Sequence, residues 1–191
     1  MAHQLGFFSS GERILAQTLG ASVSYVPEIF RPDECSRIFA ALHDGVAWGA
    51  SRMWMYDHEV EVPRLVAFYG VGEELPQPLL AMRARLTKRF DADFNSVGMN
   101  LYRNGDDSVA WHSDKDELLS RNPTIAVISF GAIRAMQIRP RVPPRHAISI
   151  DLEPGSALVM HGNAQDHYEH CIPKTHDAMD ARISVVFRTK A

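Results

Sequence analysis

The chain has 191 residues, 20 Lys+Arg against 23 Asp+Glu and a formal net charge of -3, with 46% hydrophobic and 23% charged residues. That balance excludes collagen-like, disordered and coiled-coil classes, and the length suits one domain over residues 1–191 that buries a core without staples. The slight acidity argues against bulk electrostatic capture of nucleic acid, while a local basic face is compatible with it.

Cys35 and Cys171 are the two cysteines, too few for a disulfide framework. No apolar run approaches the roughly 18 residues of a membrane span. The opening Met1-Ala2-His3-Gln4-Leu5-Gly6 lacks a basic stretch followed by an apolar one, so no secretory leader is expected. Together these lead us to expect a cytoplasmic protein with no membrane partner.

Residues 1–30 are mixed and read as an N-terminal extension. Arg31-Pro32-Asp33-Glu34 opens a helix to about Asp44, with a proline and acids in the first turn and Ile38, Phe39 and Leu42 at helical spacing. Residues 45–70, rich in Trp, Met, Tyr, Val and Gly, read as short strands and loops. A second helix is predicted from about Pro76 to Phe94, with Leu79, Met82, Leu86 and Phe90 on one face and Arg83, Arg85, Lys88 and Arg89 on the other. Strands are then predicted at Val97–Tyr102, Ile125–Phe130, Ala135–Arg139, Ala147–Leu152, Ala157–His161 and Ile183–Phe187, with turn signals between them. Short strands at this spacing after two helices suggest an antiparallel barrel or sandwich with helices packed on one face.

In Trp111-His112-Ser113-Asp114 a His and an Asp stand two residues apart. On extended chain they project from one face and suit one metal ion. A second His from a distant strand would complete a 2-His-1-carboxylate set, the arrangement of non-haem Fe(II), and a three-ligand zinc site is the rival. The candidates are His146, His161, His167, His170 and His176. In Arg182-Ile183-Ser184-Val185-Val186-Phe187-Arg188 the two arginines share a strand face with Ser184 and Val186, while Ile183, Val185 and Phe187 face a core. Arginines on the inner face of a barrel are costly unless they bind an anion; the other reading is that they reach solvent at the strand ends. Asn100 and Tyr102 have the same spacing and suit a small carboxylate ligand, or ordinary hydrogen bonding within the strand.

Taken in order, these segments resemble the AlkB family of Fe(II)/2-oxoglutarate-dependent dioxygenases. The resembling stretches are Asn100-Leu101-Tyr102-Arg103-Asn104-Gly105 through Trp111-His112-Ser113-Asp114, then Ile128-Ser129-Phe130-Gly131-Ala132, Glu169-His170-Cys171-Ile172-Pro173-Lys174, and Arg182 to Arg188. They run from about Val97 to Arg188, near half the chain. Upstream, Val62-Pro63-Arg64-Leu65 with Tyr69-Gly70 is similar to the family's nucleotide-recognition segment, here at about 45–70.

The resemblance implies a mainly β (α+β) protein with flanking helices and a double-stranded β-helix (jelly-roll) core. It implies Fe(II) held by His112, Asp114 and His170 as the catalytic set, and 2-oxoglutarate bound by Asn100, Tyr102, Arg182, Ser184 and Arg188. Ser184 stands where many members carry Asn. Asp116, Tyr69, Arg64 and Trp54 are the substrate-side candidates. Asp116 would meet the amino group of a flipped base, and His112 would supply one stacking plate with Trp54 or Tyr69 the other. Arg134, Arg139, Arg141 and Arg145 form a local positive cluster that suits phosphates or, equally, is a solvated basic loop. The implied activity is oxidative demethylation of N-alkylated bases of the 1-methyladenine and 3-methylcytosine type in DNA or RNA. 2-Oxoglutarate decarboxylation is coupled to methyl hydroxylation and formaldehyde release. The alternative is hydroxylation of a free nucleoside or other small molecule. Residues 45–60 show no strand-separating finger, which points to a single-stranded partner, and a monomer is expected.

Overall fold

Eight strands between Ser96 and Arg188 cross back and forth between two sheets in the computed structural model, which describes residues 11–55, 57–114, 119–177 and 179–191. They are β5 (Ser96–Tyr102), β6 (Val109–His112), β7 (Ile125–Gly131), β8 (Arg134–Pro140), β9 (Ile148–Leu152), β10 (Ala157–Gly162), β11 (Tyr168–Ile172) and β12 (Arg182–Arg188). The small sheet runs β6-β11-β8-β9. The large sheet carries β10-β7-β12-β5 at its centre, and every pairing is antiparallel. This interleaving is the double-stranded β-helix. The large sheet is widened on one edge by β1 (Arg13–Thr18) and β2 (Ala21–Val26), and on the other by β3 (Gly49–Met55) and β4 (His58–Tyr69). The hairpin of β1 and β2 lies in the stretch whose sequence resists prediction.

Side-chain alternation on the large sheet creates two cores. Ala126, Ile128 and Phe130 of β7 and Ile183, Val185 and Phe187 of β12 face the helices, while Ile125, Val127 and Val186 face the small sheet. The helix layer is α1 (Pro32–Gly45) and α2 (Gln77–Phe90). In α1, Pro32 occupies the first turn and Glu34 accepts the Arg31 backbone N–H at 3.0 Å, satisfying a donor that the helix start leaves open. The α2 stripe Leu79, Met82 and Leu86 is fully buried, each side chain contributing about 2 kcal/mol through burial. Arg85 of α2 meets Glu34 of α1 at 2.6 Å and ties the two helices together.

The second helix ends four residues before the predicted Phe94. Asp91 turns into the left-handed region (φ 48°), which stops the helix and sends Phe94 back into the core against Phe187. A one-turn helix, α3 (Ala164–His167), links β10 to β11.

Candidate metal centre and anion pocket

Antiparallel register places His170 of β11 directly opposite His112 of β6, with ring centroids 4.3 Å apart. Asp114 follows two residues after His112, just past the strand end. One ligand atom from each of the three lies within 4.8 Å of the others. His112 Nδ1 sits 2.9 Å from the Ala110 carbonyl, which can only accept, so the proton belongs on Nδ1 and Nε2 is left with its lone pair. That Nε2 is 3.5 Å from Asp114 Oδ1, and the two atoms face the same point.

The other Asp114 oxygen is taken by Arg188, whose Nη2 and Nε donate to Oδ2 at 2.8 and 3.2 Å. The Asp114 backbone N–H donates to Gln165 Oε1 at 2.6 Å, so α3 fixes the chain where it leaves β6. Gly98 on β5 makes room for this arrangement: a Cβ there would lie 2.8 Å from Arg188 Nη1.

The protonation states of His170 and Asp114 suit metal binding. Burial pushes the His170 pKa down to about 4, which leaves a neutral imidazole at neutral pH. Burial opposes charge on Asp114 too, but Arg188 and the two imidazoles outweigh it and hold the carboxyl far below its usual range. For His112, burial works against protonation and the Asp114 carboxylate prevails, lifting the pKa. Two imidazoles and one ionised carboxylate are the donor set of a non-haem Fe(II) site with open positions.

Next to this cluster lies a pocket of about 210 Å³ whose walls include Arg64, Asn100, Tyr102, Ser184 and Arg188. Arg182 is wholly buried behind it. Its Nη2 donates to Ser129 Oγ at 2.8 Å, its guanidinium lies 5.2 Å from the Tyr102 ring centroid, and Nε and Nη1 have no partner. Burial pulls the Arg182 pKa down, and an unpaired guanidinium at such a site is costly. Acceptor oxygens brought to these orphaned nitrogens by an anionic ligand would satisfy it, and a carboxylate is the natural partner of a guanidinium. Burial raises the Tyr102 pKa, keeping its hydroxyl a donor. Asn100 Oδ1 accepts from Arg64 Nε at 2.8 Å, which leaves the Asn100 amide nitrogen to donate. The residues present therefore fit both Fe(II) and a small dicarboxylate such as 2-oxoglutarate.

Of the substrate-side candidates, Arg64 is in the pocket wall, where its Nη1 also donates to the Ser108 carbonyl at 3.2 Å. Tyr69 is not there. It packs with Leu65 and Ala67 against the helix-side core, on the other face of β4, because it stands an odd number of positions beyond Arg64 along the strand. Asp116 lies outside the described residues, as does the side chain of Trp54.

Of the four arginines expected to meet phosphates, Arg145 is exposed, while the other three are engaged within the protein. Arg134 is 3% exposed and donates to the carbonyls of Asn104, Asp107 and Pro173 at 2.7–3.0 Å. Arg139 is bound to Glu169 at 2.6 Å and stacked on Trp111, and Arg141 is tied to Ser113 and the Gln165 carbonyl. Sequence reasoning missed Ser129 and Gln165 as site residues. Ser129 is detectable as the one hydroxyl in the apolar run of β7; Gln165 leaves no comparable signal.

Residues 63–188 match the model of the 2OG-Fe(II) oxygenase superfamily. The chain is 34% identical over 179 residues to alpha-ketoglutarate-dependent dioxygenase alkB homolog 3 of Bos taurus, covering 82% of this chain and 62% of the relative. It is 32% identical over 198 residues to the Homo sapiens protein of the same name, covering 92% and 68%. It is 29% identical over 192 residues to the Mus musculus DNA oxidative demethylase ALKBH2, covering 88% and 80%. The chain thus spans about two thirds of the length of the alkB homolog 3 proteins. With its interleaved β-helix, its His-Asp-His cluster and these likenesses, the chain belongs to the AlkB family of 2OG-Fe(II) oxygenases.

Proposed function

We propose that this chain is an Fe(II)- and 2-oxoglutarate-dependent dioxygenase that removes N-linked methyl groups from alkylated bases in DNA or RNA. The observation that carries the reading is the convergence of His112, Asp114 and His170 within 4.8 Å, beside a buried Arg182 with two unpartnered nitrogens. The first feature calls for a metal and the second for a carboxylate. A relative named a DNA oxidative demethylase supports the nucleic-acid substrate.

In this reading His112 Nε2, one Asp114 oxygen and His170 hold the ion. Arg182 pairs with the distal carboxylate of 2-oxoglutarate, aided by Tyr102, while Asn100 and Ser184 face the cosubstrate from the pocket wall. When bound, the metal and cosubstrate supply oxidative decarboxylation to succinate and carbon dioxide, coupled to hydroxylation of a methyl C–H bond. Arg188 keeps Asp114 ionised and fixed in one rotamer. The buried apolar wall of Val127, Met136, Ile172 and Val186 limits water. The hydroxymethyl group on nitrogen then breaks down to formaldehyde and the repaired base. Asp116, two residues beyond Asp114, is assigned to the exocyclic amino group of adenine or cytosine, where a carboxylate also favours the cationic methylated ring. A single strand is the assigned partner, since it presents a base without the cost of opening a duplex.

Formaldehyde release tests this, with Fe(II), 2-oxoglutarate and oligonucleotides carrying 1-methyladenine or 3-methylcytosine in single- and double-stranded form. The expected result is release from the single strands above that from the duplexes. Equal turnover of the free methylated nucleosides, or no release from any oligonucleotide, overturns the nucleic-acid reading.

A further inference from the structure

Phe68 follows Arg64 by four residues and Val66 by two, so the three side chains share the pocket face of β4. Register pairs Val66 with Asn100 and Phe68 with Gly98. Phe68 is 54% exposed, the only exposed Phe, Tyr or Trp among the described side chains. A single exposed hydrophobe is ordinary, but the neighbours of this one are not. Gly98 leaves the sheet flat beside the ring; a Cβ there would lie 4.0 Å from Phe68 Cδ2. Across Gly98 lies the Arg188 guanidinium, which continues to Asp114 at 2.8 Å. On the other side the Lys190 ammonium stands 5.0 Å from the Phe68 ring centroid.

The result is a half-exposed aromatic ring with the Lys190 cation over it and the Arg188 cation beyond Gly98, continuous with the candidate reaction pocket through Arg188. A nucleobase with its adjoining phosphate fits that chemistry: the base needs a flat apolar plate and the phosphate a nearby cation. We propose that Phe68 is a stacking plate for a nucleobase of the substrate strand at the mouth of the pocket, with Lys190 meeting the adjoining phosphate. The inference rests on the nucleic-acid reading above and assigns the aromatic surface that Tyr69, turned toward the helices, does not provide.

The test is binding of a single-stranded oligonucleotide with one 1-methyladenine, by fluorescence anisotropy. The full chain is used with Fe(II) and 2-oxoglutarate under nitrogen, so that nothing turns over. Phe68→Leu is expected to weaken binding about tenfold, with an unchanged slope of log Kd against log salt. Phe68→Trp is expected to bind within about twofold of wild type, since it restores a ring. Lys190→Met is expected to lower the salt slope by about one. Phe68→Val, which suits a strand, replaces the Leu variant should that melt early.

A folded Leu or Val variant that binds like wild type overturns the plate while leaving the nucleic-acid reading standing. So does a Trp variant as weak as the Leu one, because the ring would then act only through packing. If the wild type consumes 2-oxoglutarate but binds no methylated oligonucleotide, the reading itself fails and the inference falls with it.

Discussion

The two faces of β12 are built from the same seven residues and carry opposite chemistry. Toward the helices, Ile183, Val185 and Phe187 are fully buried in an apolar layer. Toward the small sheet, Ser184 and Arg188 line a polar pocket and Arg182 is buried with two unpartnered nitrogens. The helix face contributes stability; the pocket face spends some of it on charges held ready for ligands. A strand can do both because its side chains alternate strictly, so a site and a core are separated by one residue in sequence and by the thickness of the sheet in space.

Substitutions that break this contrast are expected to act in separate currencies. The largest effect falls on the pocket face. Asp114→Ala is expected to abolish Fe(II)-dependent succinate formation, since it removes a ligand and strands the Arg188 charge; retained turnover would remove Asp114 from the metal set. Arg182→Met is expected to raise the 2-oxoglutarate requirement about a hundredfold. The same variant sharpens the comparison: the ligand-free chain is expected to melt no lower than wild type, because a buried, half-paired guanidinium is replaced by a methionine of similar length. An unchanged 2-oxoglutarate requirement would place the anion elsewhere.

On the helix face the pattern reverses. Phe187→Ala is expected to cost about 3–5 kcal/mol, seen as a melting point lower by roughly 10 °C, with little change in the 2-oxoglutarate requirement of the folded enzyme. A requirement that rose as steeply as for Arg182→Met would show that the faces are not independent.

The smallest effect belongs to the helix layer's surface, where Arg85 and the Arg31 backbone hold the Glu34 pKa down to about 2 from 4.5. A depressed carboxyl stabilises the fold above its unfolded pKa, and that contribution fades as pH falls toward 2. Glu34→Gln is therefore expected to lower stability by no more than about 1 kcal/mol at neutral pH, with the gap to wild type closing on acidification in thermal melts. A gap that widened in acid would contradict the Arg85 pairing.

Local patterns in the sequence predicted local facts well. The i,i+2 spacing of His112 and Asp114, the alternation of β12 and the apolar stripe of α2 all depend on near neighbours, and each is where the spacing puts it. Selection of His170 from five histidines did not follow from spacing, because it depends on the pairing of β11 with β6, which lie far apart in the chain. Those two strands are absent from the predicted set for a related reason. They are short, and the residues that serve the site interrupt their apolar pattern. Tyr69 shows how fragile face assignment is: a shift of one residue exchanges the helix face for the pocket face, and the exposed ring is Phe68. Arg134 looks like a loop cation in sequence. It opens β8 instead, where its guanidinium gathers three carbonyls that would otherwise be left open.

The central claim is that three side chains from two short strands and the turn beyond one of them hold a single Fe(II). Anaerobic calorimetric titration of Fe(II) into the chain, wild type and His170→Ala, tests it most directly. The account predicts one ion per wild-type chain and at least a tenfold loss of affinity in the variant; equal affinity and stoichiometry in both would contradict it.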